Sequence, residues 1–134
     1  MLSVWITGAS SGIGEACAYR YAEEGARLVL TSSSVNRLEP VAARCRELGA
    51  TEVNILPFDL TCLDGIDTLT DKAWDAMKGI DIVMLNAGIS QRTNVEDTSM
   101  EMVRKIMEIN YFAPVAIAKR LLPKMVGRGY GKIA

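Results

Sequence analysis

Short unbroken apolar runs alternate along the chain with segments in which apolar residues recur every three or four positions. The first run, Val4-Trp5-Ile6-Thr7, has the pattern of a buried strand, and after a turn from Gly8 to Gly12 the spacing predicts a helix over Ile13 to Glu24, closed by Gly25. Arg27 to Thr31 reads as a second strand. Asn36 to Leu48 reads as a helix with Val41, Cys45 and Leu48 on one face and Gly49 just past its end. The period then repeats, with a strand over Val53 to Phe58, a helix over Asp64 to Met77 and a strand over Ile80 to Leu85. A long helix from Ser99 to Val126 is stopped by Gly127-Arg128-Gly129, and Gly131 begins a fifth strand.

Strands that are apolar throughout need cover on both faces, and strands separated by helices pair in parallel through right-handed crossovers. The expectation is one α/β domain over residues 1–134, a doubly wound parallel sheet cut after the start of its fifth strand. Such sheets bind ligands beyond the carboxyl ends of their strands, where strand order reverses. Function is therefore expected at Thr7 to Gly14, Thr31 to Ser34, Asp59 to Leu60 and Asn86 to Gly88.

Composition narrows the chemistry. Fifteen basic and sixteen acidic residues leave a net charge of -1, so no global field draws nucleic acid or an anionic membrane, and any anion must be held locally. Neither partner is expected. The absence of histidine removes His-based triads, haem ligation through His and the common His-rich zinc sites from these residues. Cys17, Cys45 and Cys62 include no C-x-x-C pair. They read as small buried hydrophobes in a protein of the reducing cytoplasm. The first strand starts within a few residues of Met1, so neither a signal peptide nor a membrane span of about 20 apolar residues is expected there.

The strongest local signal is Thr7-Gly8-Ala9-Ser10-Ser11-Gly12-Ile13-Gly14, between a strand and a helix. Glycines let the backbone turn tightly and approach a pyrophosphate, whose charge meets the free N–H groups and positive dipole end of the helix. Backbone groups of Gly12, Ile13 and Gly14 are the expected contacts, and a side chain at Gly14 is expected to block that approach. The spacing is G-x-x-x-G-x-G, distinct from G-x-G-x-x-G, because Cys17 stands where that template starting at Gly12 needs its last Gly.

This turn resembles the T-G-x-x-x-G-x-G pattern of the short-chain dehydrogenase/reductase family at Thr7, Gly8, Gly12 and Gly14. Asp59-Leu60 is similar to the family's Asp-apolar pair, which implies a carboxylate that accepts from the adenine amino group and a backbone N–H at a ring nitrogen. Leu85-Asn86-Ala87-Gly88 resembles the N-N-A-G segment, with Leu85 replacing its first Asn. Asn110 resembles the Asn of the catalytic tetrad, and the stretch from Ser90 to Ile133 is similar to one branch of the family. The resemblance implies a Rossmann fold, a nicotinamide dinucleotide, a small-molecule carbonyl or alcohol as substrate, and a homo-oligomer through the helix around 99–126. It also implies that a water on the Asn110 carbonyl links the family's Lys to solvent. Pro114, lacking an N–H, leaves that carbonyl without its helix partner and is expected to bend the helix there.

The family's Tyr-x-x-x-Lys pair is not found in these residues. Tyr19, Tyr21, Tyr111 and Tyr130 are followed at the fourth position by Glu23, Gly25, Val115 and Ala134. The segment alone is therefore expected to bind cofactor without turnover, which leaves a non-catalytic binding module as the alternative, and to be poorly soluble through its exposed strand edge and helix. Thr31-Ser32-Ser33-Ser34 carries no acid to select NAD, and Ser32, Ser33 and Arg37 are candidates to receive a 2′-phosphate. NADP is expected, with NAD as the alternative.

Overall fold

The computed structural model describes residues 1–134 and carries the predicted alternation. Strands β1 (Ser3–Thr7), β2 (Arg27–Thr31), β3 (Glu52–Ile55), β4 (Ile82–Met84) and β5 (Lys132–Ile133) form one sheet in the order β3-β2-β1-β4-β5, parallel at every pairing. Strand order runs outward from β1 in one direction and then the other, which places the switch point between β1 and β4. Helices α1 (Gly12–Glu23), α2 (Val35–Leu48), α3 (Ile66–Met77), α4 (Met100–Met107) and α5 (Ala113–Arg128) complete the fold.

Because successive strand residues point to opposite faces, the central strands feed two separate cores. Val4, Ile6, Leu28 and Leu30 pack with Ala18 and Ala22 of α1 and with Leu38, Val41, Ala42 and Cys45 of α2. Trp5, Val29 and Val83 face the other way, into Leu69, Ala73 and Met77 of α3 and Ile117, Leu121 and Met125 of α5. The buried Trp5 indole meets its hydrogen-bonding need within the sheet, donating from Nε1 to Thr31 Oγ1 at 2.9 Å. Burial pushes the Cys45 thiol up to about 11, as expected of a core cysteine. Cys62, by contrast, is exposed and Cys17 only half-buried, so the expected burial does not extend to all three.

Most bounds shift by one or two residues, and three elements differ by more. β3 ends at Ile55, before Pro57, which has no N–H to give; Leu56 and Phe58 on either side still donate to Leu30 O and Ser32 O, each at 2.9 Å. β4 covers only Ile82–Met84 of the predicted run. The single long helix is divided by a π turn at Glu108–Phe112, where Ala113 N–H bonds to Glu108 O five residues back. Pro114 cannot serve the Asn110 carbonyl in the usual way, and the widened turn is how the chain absorbs the loss. α4 buries none of its residues, so Val103 and Met107 are exposed, as is Leu122 on α5. No helix is long and apolar enough to cross a membrane.

Candidate functional site

The first wall of the site is the turn between β1 and α1. Gly8 and Gly12 take left-handed backbone angles, φ 66° and 57°, which glycine adopts without penalty. A Cβ on Gly14 would sit 2.2 Å from Gly8 O and 2.6 Å from Asn86 Nδ2, so the helix rests directly on the turn. Gly14 is therefore required by contact within the protein. Gly12, by contrast, has nothing within 4 Å of an added Cβ. Ser11, Gly12 and Ile13 are exposed, and no side chain caps the helix start. Free N–H groups and the positive end of the helix dipole together favour an anion there.

β4 is braced to this turn by two side chains. Asn86 Nδ2 donates to Thr7 O and Gly8 O, each at 3.3 Å. Thr7 Oγ1 accepts from Ala87 N–H at 3.1 Å and donates to Met84 O at 3.4 Å. Leu85, replacing the family's Asn, packs against the core layer of α3 and α5.

A cleft of about 710 Å³ opens between these walls, at the carboxyl ends of the strands. Gly8, Ser10, Ser11, Asn86, Ala87 and Gly88 line it on one side. Ser32, Ser33, Asp59 and Leu60 line it where β2 and β3 end. Thr7 and Gly14 lie buried behind it. Arg37 is exposed in the first turn of α2, and its side chain does not line the cleft.

Asp59 is both a turn residue and a cleft residue. Its Oδ1 accepts from Thr61 N–H at 2.9 Å and from Thr61 Oγ1 at 2.7 Å. These bonds hold the carboxyl below the usual carboxylate range, and Lys105 adds to the effect. Asn110 is fully engaged on the loop after β4: its Oδ1 accepts from Ile89 N–H at 2.9 Å and its Nδ2 donates to Ile89 O at 2.8 Å.

Sequence reasoning missed the last wall. Glu101, Arg104, Lys105 and Glu108 follow one edge of α4 and its π turn into the cleft. Their i, i+3, i+4, i+7 spacing was available as a signal, but charges at that spacing also describe a solvated helix face.

A family model described as short chain dehydrogenase matches residues 3–134. The chain is 42% identical over 133 residues to dehydrogenase/reductase SDR family member 7 of Homo sapiens, covering 97% of this chain and 39% of that protein. A metagenomic short-chain oxidoreductase solved in complex with NADP superposes with a TM-score of 0.93 at 27% identity, over 98% of this chain and 60% of that one. A short-chain dehydrogenase from Sphingobium yanoikuyae in complex with NADPH gives 0.90 at 34% identity, over 99% and 52%. With a parallel Rossmann sheet, a Gly turn open to its cleft and this match along nearly its whole length, the chain belongs to the short-chain dehydrogenase/reductase family.

Proposed function

We propose that the chain is the dinucleotide-holding part of an oxidoreductase that interconverts a carbonyl and an alcohol by hydride transfer. The observation that carries this reading is the uncapped start of α1, with Gly12 open beside it, where Ser11 lines a cleft that Asp59 and Leu60 also line. Backbone N–H groups of Gly12 and Ile13 receive the pyrophosphate, helped by the helix dipole. The Asp59 carboxylate, kept ionised by Thr61, accepts from the adenine amino group, while Leu60 N–H meets a ring nitrogen. When bound, the nicotinamide supplies or accepts the hydride. Asn110 acts by position, holding the loop that follows β4.

NADP is the preferred cofactor and NAD the alternative. Two similar structures hold NADP or NADPH, and no acid stands at Ser32 or Ser33 to repel a 2′-phosphate. The substrate is a small carbonyl compound or alcohol. These 134 residues contain no Tyr-x-x-x-Lys, which supports binding without turnover by the segment alone. Three free cysteines support a reducing compartment, the cytoplasm. The exposed apolar side chains Val103, Met107, Tyr111, Phe112 and Leu122 support a homo-oligomer through α4 and α5.

Calorimetric titration with NADPH and NADH tests the reading. Binding of both, NADPH at least as tightly, is expected; no heat with either overturns it. Turnover in a carbonyl-reduction assay on the segment, without an added chain, contradicts the proposed inactivity.

A further inference from the structure

Glu15 is the acidic side chain in the first turn of α1, the helix whose free start faces the cleft. Ser11 and Gly12 stand four and three residues before it, so the three share one face of the helix. Side chains on a helix lean toward its N-terminus. The positive end of the dipole draws a carboxylate the same way, and a glutamate near a helix start can reach back to the free backbone N–H groups. An unrestrained Glu15 would therefore compete with any anion arriving at Gly12 and Ile13. Yet no side chain caps that start, and Glu15 does not line the cleft.

What holds the carboxylate away is Tyr19. Its hydroxyl, four residues further along the helix, donates to Glu15 Oε1 at 2.7 Å. No other partner competes, because Glu15 enters none of the six ion pairs of the fold. The Tyr19 ring is half-buried and packs against the core layer shared by α1 and α2, so its hydroxyl is a fixed donor. The bond to Glu15, with burial adding to it, pushes the phenol up to about 12, and the hydroxyl keeps its proton at neutral pH. The pull of this bond is directed toward the C-terminal end of α1, opposite to that of the dipole.

We propose that Tyr19 is a positioning residue that holds the Glu15 carboxylate back along α1 and so keeps the helix start free for the cofactor's pyrophosphate, a role that rests on the dinucleotide reading above. The test titrates NADPH calorimetrically into the protein, into Tyr19→Phe, into Glu15→Gln and into the double variant, with a thermal melt of each. Tyr19→Phe keeps the packed ring and releases the carboxylate, so binding should weaken about fivefold. Glu15→Gln has no charge to release and should bind at least as tightly as the parent. In that background Tyr19→Phe should cost nothing further, because the two changes act through one interaction. At about 1 M salt, where charges are screened beyond about 3 Å, the loss in Tyr19→Phe should shrink toward none. Glu15→Asp keeps the charge but is too short to reach the hydroxyl; it should weaken binding in the same direction, and it serves if Tyr19→Phe does not fold. An equal loss with and without the Glu15 charge would assign Tyr19 to packing alone and overturn the proposal, as would unchanged affinity in both Tyr19→Phe and Glu15→Asp. If the unaltered protein binds no NADPH, the dinucleotide reading falls and this role with it. If it binds and the loss in Tyr19→Phe persists in the double variant, only the role of Tyr19 falls.

Discussion

Asn110 and Ile89 are joined by two hydrogen bonds in opposite directions, 2.9 and 2.8 Å long, between one side-chain amide and one backbone residue. The amide does for the loop after β4 what a neighbouring strand would do, satisfying both backbone groups of Ile89 away from any sheet. The π turn makes this geometry available, because Asn110 sits at its centre.

Asn110→Ala should therefore free the segment after Gly88. Each bond is partly exposed and contributes about 0.5–1 kcal/mol, so a loss of about 1–2 kcal/mol is expected. Hydrogen exchange at the Ile89 amide should speed up by at least tenfold, and Asn110→Asp, which keeps the acceptor, should fall between the two. Unchanged exchange in the Ala variant would show that the loop is held by other contacts.

Gly14 and Gly12 should respond differently to a side chain. Gly14→Val drives atoms into Gly8 O and Asn86 Nδ2, so it should lose both nucleotide binding and about 3 kcal/mol or more of stability. Gly12→Ala meets open space but keeps a φ of 57°, which costs about 1–2 kcal/mol, while its methyl intrudes where a pyrophosphate would lie. Denaturant unfolding paired with NADPH titration distinguishes them. Equal stability losses would contradict the separate roles.

Ser33→Asp tests the selectivity reading. A carboxylate at the end of β2 repels a 2′-phosphate and accepts from free ribose hydroxyls, so the preference should move toward NADH by at least tenfold. Titrations of both cofactors before and after the change provide the measurement, and an unaltered ratio would place the ribose elsewhere.

Asp59 should remain ionised below the pH at which a free carboxyl, near about 3.9, takes up its proton. Its lowered folded pKa means that its small contribution to stability is present above that value and lost as pH falls through the folded one. Thr61→Val removes the hydroxyl bond, the largest cause of the shift, and should move the titration upward. The carboxyl carbon resonance of Asp59 followed against pH would report it, and coincident curves for parent and variant would remove Thr61 as the cause.

Leu122→Glu together with Val103→Glu should abolish self-association if the outer face of α4 and α5 joins copies of the chain. Both positions are exposed, so the fold itself should change by only about 0.5 kcal/mol or less. Sedimentation at low micromolar concentration gives the answer; a parent that is already monomeric would refute the proposed interface.

The sheet and its glycine turn were legible because they depend on local signals: apolar runs set β1 and β2, and Gly8, Gly12 and Gly14 mark a turn that only small residues can make. Asp59 was legible by its place after β3, although its bond to Thr61 could not be read from spacing alone. In the helix over 99–126 the break near Asn110 was legible from Pro114, but periodicity does not show that the proline is absorbed by a π turn that divides the helix. For the same reason, the cleft-facing charges of α4 were invisible. A polar face toward water and a polar face toward a ligand have the same pattern until the opposite wall is in place. Arg37 is near Ser33 in sequence and lies in the exposed first turn of α2, beside rather than within the cleft lining.

The placement of the two tryptophans determines what light emission can report. Trp5 is wholly shielded between the sheet and helices α3 and α5, whereas Trp74 is half-exposed on α3 beneath the Arg128 and Lys124 cations, 5.1 and 5.7 Å from its ring centroid. A soluble quencher will therefore reach Trp74 and spare Trp5. Emission from Trp5 will shift to the red only when the central sheet opens, so the chain carries one fluorophore that registers global unfolding and another that registers its α3 surface.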